Sequence, residues 1–145
     1  KIFFWLLLHD RPSTRNMIKR RNMHLEDYNC ALCAESMEDT WIHLFWDCQF
    51  AGCYLDRIVP NKHRGTSTYD EVLFTPREIP KDIAMEVVIM GCWSTWMIRN
   101  DKIFRKAPMS YGSWKHYLRE GMEMTRLRSK QKKADLITSW IEQNL

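Results

Sequence analysis

Glycine and proline are scarce in this chain, five of each in 145 residues, too few for a low-complexity chain. Long apolar runs are missing as well. Nothing approaches the ~20 residues needed to cross a bilayer, so no membrane partner is expected. The start, Lys1-Ile-Phe-Phe-Trp-Leu-Leu-Leu8, is apolar but short, and no small-residue cleavage site follows it, so it does not read as a secretory leader. The chain begins with Lys instead of Met, as a fragment would. No alternating strand of convincing length is visible, although Val72-Leu73-Phe74 could form a short extended piece. No internal repeat is visible either.

What is present is an ordinary globular composition, 45% hydrophobic and 28% charged, with an unusual seven Trp, nine Met and five Cys. The length fits one domain, or one domain with a helical extension. The cysteine count is odd and clustered: four lie between Cys30 and Cys53, and Cys92 stands alone. A secreted disulfide scaffold would show an even, spread set. An intracellular, reducing compartment is the expectation, with the nucleus open. The net charge of +4 is uneven, at +3 over residues 1–29 and −4 over residues 30–60. Two basic clusters stand out, Lys19-Arg20-Arg21 and the run Arg126, Arg128, Lys130, Lys132, Lys133. Each reads either as a solvated helix face or as a phosphate-contacting surface.

Apolar spacing predicts a mostly α chain. A first helix covers 1–9. Thr14 caps a second from Arg15 to about Asn22, with Met17 and Ile18, and less clearly Met23, on its apolar side. Residues 24–40 look irregular. Glu38-Asp39-Thr40 starts a short helix carrying Trp41 to Trp46, and another runs from Phe50 to Val59. Three of the five prolines fall between Pro60 and Pro80, which marks a linker or surface loop. From Lys81 a wide apolar stripe, including Ile83, Val87, Met90 and Met97, continues to Phe104 before Pro108. Helices follow at Ser113 to about Lys130, with Trp114, Tyr117, Leu118, Gly121, Met122 and Met124 inward, and at Ala134 to Gln143. The expected domains are a small stapled helical unit over 1–59, a linker over 60–80, and a helical extension of two to three helices over 81–145.

The zinc staple rests on Cys30-x2-Cys33-x9-His43-x4-Cys48. Zinc takes Cys sulfur and His nitrogen in a tetrahedron, and an x2 spacing lets a tight turn aim two sulfurs at one point. In an unbroken helix Cys48 would lie ~140° around from His43, at ~100° per residue, so the chain must leave the helix near Asp47. The competing readings are buried cysteines beside a core histidine, or a thioredoxin-like redox pair, which needs a strand–turn–helix context absent here. Four ligand-type residues within 19 positions favour metal. With all four ligands from the protein, the site is structural and holds one Zn2+. Cys53 and His24 are spare ligand candidates, Cys53 being better suited to packing. Cys92 reads as core, and His9, His63 and His116 have no ligand neighbours.

In order along the chain, Phe3-Phe-Trp-Leu-Leu-Leu-His-Asp-Arg11, Thr14-Arg-Asn-Met-Ile-Lys-Arg-Arg-Asn-Met23, Cys30-Ala-Leu-Cys33 and Glu38-Asp-Thr-Trp-Ile-His-Leu-Phe45 with Cys48 resemble the zinc-binding domain that follows the reverse transcriptase of plant non-LTR retrotransposons. The resemblance covers roughly residues 1–58. Trp93-Ser-Thr-Trp-Met-Ile-Arg-Asn100 through Ile103-Phe-Arg105 looks, with looser motifs, like the helical tail downstream in the same elements. The retroviral nucleocapsid knuckle has a tighter Cys-x2-Cys-x4-His-x4-Cys, so that relation is one of ligand type only.

The resemblance implies a module that helps a reverse transcriptase engage RNA or DNA, without the enzyme. No Tyr/Phe-x-Asp-Asp palm motif and no carboxylate set for two Mg2+ ions is present. No Ser/His/Asp arrangement stands out, so neither catalysis nor a small-molecule substrate is expected. Lys19, Arg20 and Arg21 are the expected phosphate contacts. Tyr28, Trp41 or Trp46, if exposed, could stack on bases at ~1–3 kcal/mol each. The alternatives are a protein-interaction module, docking a reverse transcriptase or a second copy through the C-terminal helices, and an unselected retroelement remnant.

Overall fold

The computed structural model describes residues 2–9, 11–58 and 79–145. The linker expected over 60–80, with His63 and Val72–Phe74, lies outside the described residues except for Ile79 and Pro80. Among the described residues the chain is mostly α, and its one β-type pairing is an isolated antiparallel bridge between Asn29 and Glu38.

Helix α1 spans Ile2–Leu8. The Thr14 hydroxyl accepts from the Met17 amide at 3.2 Å and starts α2, Arg15–Arg20. That helix ends short of the expected Asn22 because Asn22 takes a left-handed conformation (φ 57°), which Asn tolerates better than most residues. Met17 and Ile18 are half-buried, whereas Met23 is exposed. Beyond the irregular stretch, a helix begun at Trp41 widens into a π-helix over His43–Asp47, followed by α3, Gln49–Ile58.

Helix α4, Lys81–Asn100, runs on into a second π-helical turn, Asp101–Arg105. Left-handed Lys106 (φ 52°) stops it two residues before Pro108. Helices α5, Tyr111–Leu127, and α6, Gln131–Asn144, both begin earlier than their apolar spacing suggests. Ser110 caps α5, its hydroxyl accepting from the Ser113 amide at 3.0 Å. The first turn of α6 is polar (Gln131-Lys132-Lys133), so apolar periodicity cannot reveal it.

One hydrophobic cluster draws on both ends of the chain. Leu7, Phe45, Leu55 and Ile58 share it with Ile83, Val87, Trp114, Leu118, Met122 and Ile137. Gly91 lets α3 approach α4, since a Cβ there would stand 2.9 Å from Leu55 Cδ2 and 3.3 Å from Ile58 Cδ1. The buried Trp114 indole donates to Thr95 Oγ1 at 3.0 Å, which satisfies the polar edge of a residue otherwise wholly in the core. Cys92 is buried, in keeping with its sequence context.

Three packing expectations need correction. Met124 and Phe104 are exposed. The apolar stripe of α5 is narrower than its composition, and the π turn after Asn100 changes the helical phase ahead of Phe104. Cys53 is exposed too, not packed in the core. It lies two positions after buried Ala51 and two before buried Leu55 on α3, which at ~100° per residue places it on the opposite face. No described helix is long and apolar enough to cross a membrane.

Candidate metal centre

Cys30 and Cys33 sit on a loop clamped at its base. The Cys30 amide donates to Met37 O at 2.7 Å, and the Asp39 amide donates to Tyr28 O at 2.9 Å. Left-handed Ser36 (φ 51°) closes the turn between them. His43 comes from the other side, on the helix that Thr40 caps: the Thr40 hydroxyl accepts from the His43 amide at 3.1 Å. The π turn then resolves the angular problem of the x4 spacing. The Cys48 amide donates to His43 O at 2.6 Å, so five residues close one turn and Cys48 returns beneath His43. Cys48 itself is extended (ψ 123°), the departure from the helix after Asp47 that the spacing demands.

These elements converge. One ligand atom from each of Cys30, Cys33, His43 and Cys48 lies within 4.8 Å of every other. Cys30 Sγ and Cys48 Sγ are 3.9 Å apart, and Cys33 Sγ lies 3.3 Å from His43 Nε2. Tetrahedral zinc with bonds of ~2.3 Å to sulfur and ~2.0–2.1 Å to nitrogen requires edges of roughly 3.8 Å and 3.6 Å. The donor set therefore fits the ion. Cys30, Cys48 and His43 are buried and Cys33 is half-buried, so the ligands turn inward.

The thiols are already differentiated. Cys30 is pushed well above the ordinary thiol range, first by its hydrogen bond with Cys48 and then by burial. Cys48 is lowered by receiving that bond, with further help from the Ala51 and Phe50 amides. Those amides belong to the first turn of α3, where the helix dipole also favours a thiolate. Burial raises Cys33, opposed by the Glu35 amide. The Leu32 amide approaches Cys30 Sγ at 3.4 Å. Each sulfur thus has a backbone donor to stabilise its anion once a cation displaces the proton.

His24 and Cys53, the spare candidates, are exposed and stand outside the cluster. Lys19, Arg20 and Arg21 lie at the end of α2, all exposed. Lys19 Nζ pairs with Glu38 Oε1 at 2.9 Å and rides 5.2 Å from the Tyr28 ring centroid. The Glu38 hydrogen bond holds its ammonium above the ordinary lysine range. Among the stacking candidates, Trp41 is buried and so closed to a base. Trp46 packs edge-on against Trp41 and Phe45. The Tyr28 hydroxyl accepts from the Leu25 amide at 3.0 Å and donates to Met23 O.

Sequence reasoning missed one pair beside the metal loop. Asp39 (0% exposed) and Arg99 (3%) form an ion pair in the interior, with Arg99 Nε 3.1 Å from Asp39 Oδ2. The same carboxylate accepts from the Arg15 amide at 2.9 Å. Asp39 thereby joins the start of α2, the metal loop and α4. The sixty positions between the partners leave no local signal. Only the polar identity of Arg99 inside an apolar helix hinted at it.

Residues 1–54 match the model of a family described as zinc-binding in reverse transcriptase. No curated protein and no solved structure matches the chain. The Cys3His cluster within that matched segment supports a reverse transcriptase zinc-binding domain with one structural Zn2+.

Proposed function

We propose that the chain is a non-catalytic, zinc-stapled module from a plant non-LTR retrotransposon reverse transcriptase, contacting RNA or DNA phosphates through Lys19, Arg20 and Arg21. The observation that carries the reading is the convergence of Cys30, Cys33, His43 and Cys48 within the segment that matches the family. These four residues would hold the ion, which when bound cross-links the loop, the π turn and the start of α3 and leaves no position for a substrate. The basic residues are fastened to that frame. Arg15, on the same short helix, donates to Asp27 Oδ2 and to Asn29 O, both at 2.8 Å, and Lys19 reaches Glu38 beside Asp39. An exposed pair such as Lys19–Glu38 is weak and can exchange its carboxylate for a phosphate.

The test combines metal content with binding. Elemental mass spectrometry should give about one zinc per chain, falling toward zero in Cys30→Ser and His43→Ala. Affinity for RNA or DNA should fall as salt rises, with a log–log slope of ~0.7–0.9 per phosphate contacted. Charge reversal at Lys19, Arg20 and Arg21 should flatten that slope. Micromolar protein with no salt-sensitive binding would remove the nucleic-acid reading. The second reading, self-association through the C-terminal helices, draws on exposed Met124 and Leu127. Light scattering separates dimer from monomer. Much of the apolar stripe that motivated it is spent within the chain, with Ile83, Trp114, Leu118 and Met122 in the shared core.

A further inference from the structure

The second basic cluster reaches an aromatic cleft through Arg128. A cavity of about 680 Å3 opens between α1 and α4, and Phe3, Trp93, Trp96, Ser13 and Arg128 are among its lining residues. Phe3 meets Trp93 edge-on at 5.2 Å between centroids and lies 6.5 Å from Trp96. All three rings are only half-buried. The Arg99 guanidinium sits over the Trp96 ring at 4.9 Å, a cation–π contact that fixes the indole at the cleft wall.

Arg128 connects this cleft to the turn between α5 and α6. Two of the five cations there are spoken for: Arg126 pairs with Glu123 and Lys133 with Glu86. Arg128, Lys130 and Lys132 are exposed and form no ion pair with any described residue. Arg128 caps the C-terminal end of α5, where a cation is favoured, but fold stability does not call for Lys130 and Lys132 at the start of α6. Acidic side chains are the stabilising choice at a helix start, and α6 has none in its first turn. A neighbouring groove that shares Trp93 and Arg128 with the cleft is lined by Glu120, which repels a polyanion from that direction, while Glu86 in the same groove is neutralised by Lys133. Aromatic rings beside unpaired cations are the pairing that single-stranded nucleic acid requires, since every base offers a face and every nucleotide a phosphate.

We propose that this cleft and the α5–α6 turn form a binding site for single-stranded nucleic acid, an unpaired base stacking on Trp93 and Trp96 while Arg128, Lys130 and Lys132 take the flanking phosphates. The proposal rests on the nucleic-acid reading above and adds a site remote in sequence from Lys19–Arg21. A base held in duplex cannot enter the cleft, so single strands bind more tightly than duplex of the same length.

The experiment uses the full zinc-loaded chain and a fluorescent oligo-uridine about 12 nucleotides long, compared with a duplex of equal length. Arg128→Glu/Lys130→Glu/Lys132→Glu is expected to lower single-strand affinity at least tenfold and to reduce the log–log salt slope by about 2, at ~0.7 per phosphate. Zinc content should stay at the parental value, and the melting temperature within a few degrees of it, since Arg128→Glu reverses a charge at a helix end. An oligonucleotide carrying 5-iodouridine should photo-crosslink to the peptide containing Trp93 and Trp96. Loss of affinity only in the Lys19/Arg20/Arg21 reversal, with crosslinks confined to that region, overturns this site and leaves the proposed function standing. Equal affinity for duplex and single strand overturns base stacking. A parent that binds neither removes both proposals.

Discussion

At the level of single residues, the four ligands and the Asp39–Arg99 pair carry the sharpest expectations. Cys30 and Cys33 sit above the ordinary thiol range, so both keep their protons at neutral pH and zinc must expel them. Apparent zinc affinity should therefore fall as pH drops, by ~2–3 decades per unit while two to three thiols compete with protons. Titration against a competing chelator at several pH values measures that slope, and a flat profile would contradict a thiolate-rich site. Arg99→Ala strands a fully buried carboxylate, and breaking such a pair costs ~3–5 kcal/mol. The urea midpoint should move accordingly. Asp39→Asn combined with Arg99→Met should recover part of the loss, because no bare charge then remains in the core. The ligands were legible because their spacing is local. Asp39 was legible only as part of a helix start, because its partner is sixty positions away.

Among the elements, the His43 helix depends on its cap and its π turn. Thr40→Ala removes the hydroxyl that holds the His43 amide, and losing an N-cap costs ~1 kcal/mol. A lower melting temperature and a several-fold weaker zinc affinity are expected together, since cap and ligand share one residue's amide. Differential scanning calorimetry and chelator competition read the two effects. Gly91 governs another contact. Gly91→Val forces a branched side chain against Leu55 and Ile58, and overpacking of this kind costs ~1–3 kcal/mol, visible as a lowered denaturation midpoint. Helix positions followed from apolar period. Helix ends did not, because Ser110, Asn22 and Lys106 set them through backbone conformation and capping. The exposure of Cys53 and Met124 also escaped, since composition alone does not say which face of a helix is outward.

For the molecule as a whole, the zinc site and the C-terminal helices share one core. A structural zinc of this type is worth ~10–16 kcal/mol of apparent binding energy, against ~5–15 kcal/mol for the stability of a typical domain. Chelation should unfold residues 24–58 at the least. The shared core adds the expectation that Trp114 and Trp140 lose their buried environment in the same transition. EDTA that left circular dichroism and melting unchanged would contradict a structural zinc. The mostly α class was legible from the sequence, but the joining of the two ends was not, because it is made by side chains that meet only after folding. The internal Asp39–Arg99 pair gives that joining a practical edge. The stretch that matches the family ends at residue 54, while the cation that neutralises its buried carboxylate is supplied from position 99. Excising the matched stretch would leave an anion in an apolar interior with its partner discarded, so the matched stretch is shorter than the unit that keeps this charge neutral.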